Sequence, residues 1–301
     1  MKNLEDFLLP TQKKLFKLLC KKFKGKSIFS KGNFILVRGT APVMLVAHLD
    51  TVHTEPVKQI CASDDGNILM SPQGIGGDDR CGVFALVKIY QAAQVKPWLL
   101  FCCNEEIGGL GAQHFCLAHS QGLLPKELDS LKFIIEVDRK GKNDAVFYDC
   151  DNLDFEDYIV SKGFQTAFGS FSDISLIAPE LGIAAVNLSS GYYNAHTFHE
   201  YINVAELHET IRRVSEIIAE VSDLPRFEYI EATPILLNPH ETIEHDKASI
   251  PARKFSEAYE DIYAVLLDFY SPAELESFRK EFGDKILWQL YEEEVVPFYR
   301  N

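Results

Sequence analysis

At 301 residues the chain can bury a full core and still carry an appendage. Hydrophobic residues at 47% and charged residues at 25% are ordinary globular values. The formal charge of −14 excludes nucleic acid as a natural partner, because phosphate binding needs a basic surface.

The first 24 residues place Leu4, Phe7, Leu8, Leu15, Phe16, Leu18 and Leu19 at helical spacing, with an interruption near Pro10. Charges are interspersed throughout, so the segment reads as neither a secretory signal nor a membrane span, and no membrane partner is expected. Strand-like runs follow at 34–37 and 43–47, and 60–70 reads as a hairpin around Ser63-Asp64-Asp65-Gly66. After a glycine-rich turn, 81–94 is helical by spacing, 98–103 reads as a buried strand and 111–119 as a helix. Strands are expected at 132–137 and 145–148, a short helix after Ser172, an apolar run at 183–188 and a long helix from Val204 to about Val221. Strands alternating with helices predict an α/β fold with a largely parallel sheet, whose ligands bind outside the carboxyl ends of the strands.

Residues 224–253 carry Pro225, Pro234, Pro239 and Pro251 with little periodicity, and read as a linker or extended arm. From Phe255 the spacing is helical again, with Ser271-Pro272 as an N-cap and first-turn pair. Seven scattered cysteines, without a CxxC pair, fit buried thiols in a reducing compartment, and a cytoplasmic location is expected. Cys102 and Cys103 read as core thiols rather than metal ligands.

Several carboxylates and imidazoles stand at or just beyond the ends of these runs. His48 and Asp50 are two apart, so an extended backbone can turn both to one side, where Asp50 would hold the second nitrogen of a ligating imidazole. In Gly76-Gly77-Asp78-Asp79-Arg80 two acids precede a helix, and these residues alone favour an N-cap. Glu105 and Glu106 repel one another, so an arrangement that uses both needs a cation; the alternative is a solvated pair. Asp138 follows KFIIEV, where turn chemistry is the plain explanation. NAHTFHEY offers two histidines, His196 and His199.

The ordered series His-x-Asp, Asp-Asp, Glu-Glu, Asp, His closely resembles the di-zinc exopeptidases over about residues 40–215. The resemblance implies a three-layer αβα sandwich around a mixed, largely parallel sheet. It implies two divalent ions, with zinc the expected metal, held by His48, Asp78, Glu106, Asp138 and His196. Asp78 would bridge and be followed by a cis peptide bond, Glu105 would be the general base, and Glu136 would support Asp138. His196-Thr197, Glu200 and Tyr201 match the family's spacing, which leaves His199 as a neighbour or substrate contact. Gly191, Tyr192 and Tyr193 are candidates for a transition-state hydrogen bond.

The intervals between ligands leave no room for an inserted lid, so the chain looks like the lid-less aminopeptidase branch. An arginine for a substrate carboxylate would have to come from Arg80, Arg139 or the C-terminal segment. The expected organisation is a metallopeptidase-like catalytic domain at 1–223, the linker or arm at 224–253, and a helical C-terminal extension at 254–301. That extension is a packing pad, a substrate-restricting cap or a dimer interface of a homo-oligomer. The substrate is a peptide with a free amino end or, alternatively, an N-acyl amino acid for a deacylase; carboxypeptidase action and a binding protein with an inherited pocket are further alternatives.

Overall fold

The structure is a computed structural model, described here for residues 1–30, 32–232, 266 and 275. The distal part of the expected arm and the helical extension at 254–301, those two single positions apart, lie outside the described residues. The architecture below is that of one compact unit, Met1–Thr166 with Ser172–Glu231.

The interrupted N-terminal pattern forms α1 (Glu5–Leu8) and α2 (Gln12–Lys22), separated at Pro10. Thr11 caps α2, its hydroxyl oxygen accepting from the Lys14 N–H at 3.4 Å. Strands β1 (Ser27–Ser30), β2 (Phe34–Val37) and β3 (Val43–His48) follow. The expected hairpin is β4 (Cys61–Ala62) and β5 (Ile68–Met70), paired antiparallel. Next come α3 (Gly77–Ala92), β6 (Trp98–Cys102), α4 (Leu110–Ser120), β7 (Phe133–Arg139) and β8 (Asp144–Val146). The 152–162 stretch, to which the sequence assigns no type, contains α5 (Leu153–Ser161), and β9 (Gln165–Ala167) follows. The remaining elements are α6 (Ile174–Leu181), β10 (Ala185–Ser189), β11 (Tyr192–Tyr193), β12 (Tyr201–Asn203) and α7 (Val204–Glu220).

Eight strands form one mixed sheet in the order β1-β2-β6-β3-β7-β10-β8-β9. Its centre, β6-β3-β7-β10, is parallel, while β1, β2 and β8 pair antiparallel. Both faces of this centre are buried, which is why its strands read as continuous apolar runs. Side chains alternate between two cores. Leu45, Ala47, Ile135 and Val137 join one with α2, α3 and α7, while Met44, Val46 and Ile134 join the other with α4 and α6. That gives the three-layer αβα sandwich. A second, four-stranded sheet, β11-β12-β5-β4, stands beside it.

The sequence beyond α7 does not leave this unit at once. Phe227 is buried, its N–H donates to the Lys132 carbonyl and its own carbonyl accepts from Ala184. Bridges Ile183–Glu228 and Cys150–Glu231 extend this contact. The start of the expected arm is therefore an extended segment laid on the unit's core.

Candidate metal centre

The strand order reverses around β3, which has β6 on one side and β7 on the other. Such a reversal opens a crevice at the carboxyl edge of a parallel sheet. His48 ends β3, in register with Cys102 of β6. Alternation along β7 puts Val137 in the apolar core and turns Glu136 and Asp138 to the opposite face, the face to which His48 also belongs. Glu105 and Glu106 follow β6 directly.

Asp78 arrives from the side, on the turn into α3. Gly76 adopts φ +65°, a conformation that glycine takes without cost. Gly82 lets α3 close onto β7, since a Cβ there would lie 2.0 Å from the Val137 carbonyl oxygen. The Asp78–Asp79 peptide bond is cis. The two acids divide their tasks. Asp79 Oδ1 accepts from the Gly82 N–H at 2.9 Å, as a cap does, and its Oδ2 accepts from the His48 N–H at 3.3 Å. Asp78 is left to face the crevice.

His48 Nε2 lies 3.1 Å from Asp78 Oδ1, 3.6 Å from Asp138 Oδ2 and 3.9 Å from Glu105 Oε2. His196 Nε2 lies 3.3 Å from the other Asp78 oxygen, Oδ2, and 3.1 Å from Glu106 Oε2. Each oxygen of Asp78 thus faces one histidine; His48 Nε2 also faces Asp138 and Glu105, and His196 Nε2 also faces Glu106. His196, at φ +64°, is the histidine of NAHTFHEY that reaches the cluster. His199 is exposed, its N–H donating to Thr197 Oγ1 at 3.1 Å.

Asp50 supports this group from behind. Its Oδ1 stands 3.4 Å from His48 Nδ1 and accepts the Glu105 N–H at 3.1 Å, while Oδ2 accepts the Glu106 N–H at 3.1 Å. One carboxylate therefore orients the imidazole and fixes the loop that presents both glutamates. Glu136 accepts from the Ser172 hydroxyl, and Asn187 accepts the Asp138 N–H at 2.8 Å, holding the end of β7.

Crowding of acids in a dry site disturbs their protonation. Burial, with Asp78 adding repulsion and His48 opposing it, pushes the Asp138 carboxyl up to about 7. Burial and the neighbouring Asp173, Asp138 and Glu106 raise Glu105 well above the usual carboxylate range, against the attraction of His48. Burial also acts to raise Asp78, but His196 and His48 hold it well below the ordinary value. Contacts with Asp78 and Glu106 lift the His196 imidazole to about 11.

These residues fit divalent cations. His48, Asp78 and Glu106 offer donor atoms within 4.8 Å of one another, and so do His48, Asp79 and Asp138. The buried Glu106 Oε1 has no hydrogen-bond partner, and an unpaired buried carboxylate oxygen is costly unless a cation faces it. Imidazole nitrogens mixed with carboxylate oxygens suit zinc-type ions.

Sequence reasoning missed two contributors. His53 Nε2 lies 2.9 Å from Glu200 Oε2, which also accepts the Gly76 N–H at 2.8 Å, while Glu200 Oε1 accepts the Asp78 N–H at 2.9 Å. Glu200 thus pins the turn carrying Asp78; its place four residues after His196 was the available signal. His53 carries no such mark. Arg80 is buried, and its Nη1 donates to the carbonyls of Phe7 and Pro10, each at 2.8 Å. Arg139 Nε stands 3.5 Å from Asp144 Oδ2.

No protein-family model matches the chain, and no curated protein matches it in sequence. Solved structures do match. A tripeptidase from Staphylococcus aureus subsp. aureus Mu50 aligns with a TM-score of 0.55 at 16% identity, covering 73% of this chain and 98% of that one. Aminopeptidase PepT from Bacillus cereus ATCC 10987 aligns with 0.53 at 16% identity, covering 73% and 99%. A TET aminopeptidase from the marine sediment archaeon Thaumarchaeota archaeon SCGC AB-539-E09 aligns with 0.54 at 13% identity, covering 74% and 98%. At these identities the likeness is one of fold: the chain shares the α/β fold of these tripeptidase and aminopeptidase structures.

Proposed function

We propose that the chain is a metal-dependent aminopeptidase that hydrolyses the N-terminal peptide bond of peptides. His48 and Asp138 would hold one divalent ion, Glu106 and His196 a second, and Asp78 would bridge them. The observation that carries this reading is the Asp78 carboxylate, whose two oxygens face His48 and His196 at 3.1 and 3.3 Å. When bound, a pair of zinc-type ions polarises the scissile carbonyl and makes water a nucleophile near neutral pH. Glu105 takes the proton of the attacking water and returns it to the leaving amine. Its raised proton affinity suits both transfers. Asp50 keeps Glu105 and Glu106 in place through their backbone N–H groups.

A cleft of about 490 Å³ beside Glu106 is lined by Asp50, Glu55 and Glu106, with Arg80 as its only lysine or arginine among the described lining residues. With Arg80 Nη1 held by backbone carbonyls, we read the acidic lining as better suited to a substrate ammonium than to a carboxylate. The free thiols of the described residues are consistent with a cytoplasmic setting.

The test is zinc-loaded protein assayed on a matched peptide series with free or acetylated amino ends. Free peptides are expected to turn over at least about tenfold faster, in keeping with the cost of leaving a charge-binding site unpaired. The reverse preference would make the chain a deacylase. No turnover of either series by protein carrying two ions would overturn the hydrolase reading.

A further inference from the structure

The corner between α1 and α2 lies beside two of the segments that carry the acidic cluster, those of Asp50 and Glu106. Leu8, Pro10, Thr11 and Gln12 line the cleft together with Asp50 and Glu106. Arg80, two residues after Asp78 and buried, grips the carbonyls on either side of the corner, those of Phe7 and Pro10. Gln12 then reaches 92 positions along the chain: its Nε2 donates to Asn104 Oδ1 at 2.9 Å, and its Oε1 accepts the Asn104 N–H at 3.1 Å.

Asn104 is the residue immediately before Glu105 and adopts φ +60°, the left-handed conformation that asparagine tolerates better than most side-chain-bearing residues. The consecutive N–H groups of Asn104, Glu105 and Glu106 are thus all accepted by side chains, one by Gln12 and two by Asp50. Asp50 holds the acidic residues themselves. Gln12 holds the residue at which the chain turns into them, and both hydrogen-bonding groups of its amide are engaged.

We propose that Gln12 is a positioning residue for Glu105 and Glu106, so that residues 8–12 are a working part of the active cleft. This rests on the aminopeptidase reading for its effect on turnover, but not for its effect on the loop. Freed from Gln12, the N–H and side chain of Asn104 lose their partner and the Glu105 carboxylate loses its aim. Misplacement of a catalytic group by about 1 Å costs up to about a hundredfold.

The experiment pairs Gln12→Ala with Gln12→Glu, which keeps the acceptor for the Asn104 N–H but cannot donate to its side chain. Hydrogen exchange of the Asn104–Glu106 amides is read first, in metal-stripped protein. Exchange at Asn104 is expected to rise at least about tenfold in Gln12→Ala and to recover partly in Gln12→Glu, with the rest of α2 unchanged. In zinc-loaded Gln12→Ala, kcat is expected to fall about tenfold with KM within about twofold, and the acid limb of the kcat/KM profile to move. Wild-type exchange at Asn104, or faster exchange with unchanged kcat and pH profile, overturns the proposal. If Gln12→Ala does not fold, Gln12→Leu, which fills the space with neither donor nor acceptor, carries the same test: turnover and pH profile identical to wild type overturn it. Wild-type protein without peptidase activity sinks the aminopeptidase reading alone, because the exchange result stands without substrate.

Discussion

Asp78 and Asp79 are adjacent, yet they serve different structures. Asp79 caps α3 and anchors the His48 backbone, while Asp78 faces the crevice. The sequence favoured a cap at this pair, and a cap is there; local spacing cannot tell which acid caps and which is spare. Glu105 is distinguished from Glu106 in the same way, by surroundings rather than by type. Glu106 Oε2 meets His196 at 3.1 Å, whereas Glu105 approaches His48 only to 3.9 Å and is raised by burial. Glu105→Gln is expected to lower kcat by about 10²–10⁴ while keeping the wild-type metal content, checked by steady-state kinetics beside elemental analysis. Loss of metal together with activity would make Glu105 a ligand instead.

Among the elements, the central strands were legible and several marginal ones were not. Strands β3, β6 and β7 announce themselves as apolar runs because the sheet is covered on both faces. By contrast β1, β9, β11 and β12 are two to four residues long, too short to show a period of two, and exist because a neighbour offers a ladder. The segment after α7 is a further case. Its prolines suggested an arm, and nothing local marks Phe227 as buried against Phe155 at 5.0 Å and Phe133 at 5.9 Å. Phe155 is fully buried and also meets Phe133 at 5.3 Å and Phe147 at 5.9 Å, so it joins α5, β7 and the returning segment. Phe155→Ala is expected to destabilise the protein by about 3–5 kcal/mol through the cavity it leaves, measured by urea unfolding. A change below about 1 kcal/mol would show that the segment closes over the gap.

For the whole molecule, the acidic crevice sets the pH dependence of the metal-free chain. Asp138 is held up to about 7 and Asp173 up to about 6, both mainly by burial, against an ordinary 3.8. The native state therefore keeps protons that the unfolded chain has released. Their contribution is full below the ordinary value and is lost as pH rises through about 6 and 7. His196, held near its carboxylates up to about 11 against 6.5, acts in the same direction, its contribution fading as pH rises toward that value. Asp78, held low, opposes them only in acid, below about its ordinary 3.8. The melting temperature of chelated protein should thus rise as pH falls from about 8 to about 5, and added zinc should flatten or reverse the slope because metal displaces those protons. A chelated protein that loses stability over that window would contradict the burial of these acids. Among the described residues no helix is long and apolar enough to cross a membrane, in line with the charge pattern of the N-terminus.

By itself the sequence determined the α/β alternation, the parallel centre of the sheet and the order of the acids and histidines along it. Each of these is written in local periodicity or in a motif at a strand end, and short-range sterics and burial suffice to read it. Only the tertiary structure decided that Asp79 anchors the His48 backbone, that Glu200 pins the turn of Asp78, and that Gln12 reaches Asn104. Those choices depend on groups far apart in the chain, brought within hydrogen-bond distance only in the folded unit. No local pattern encodes a partner that only packing supplies.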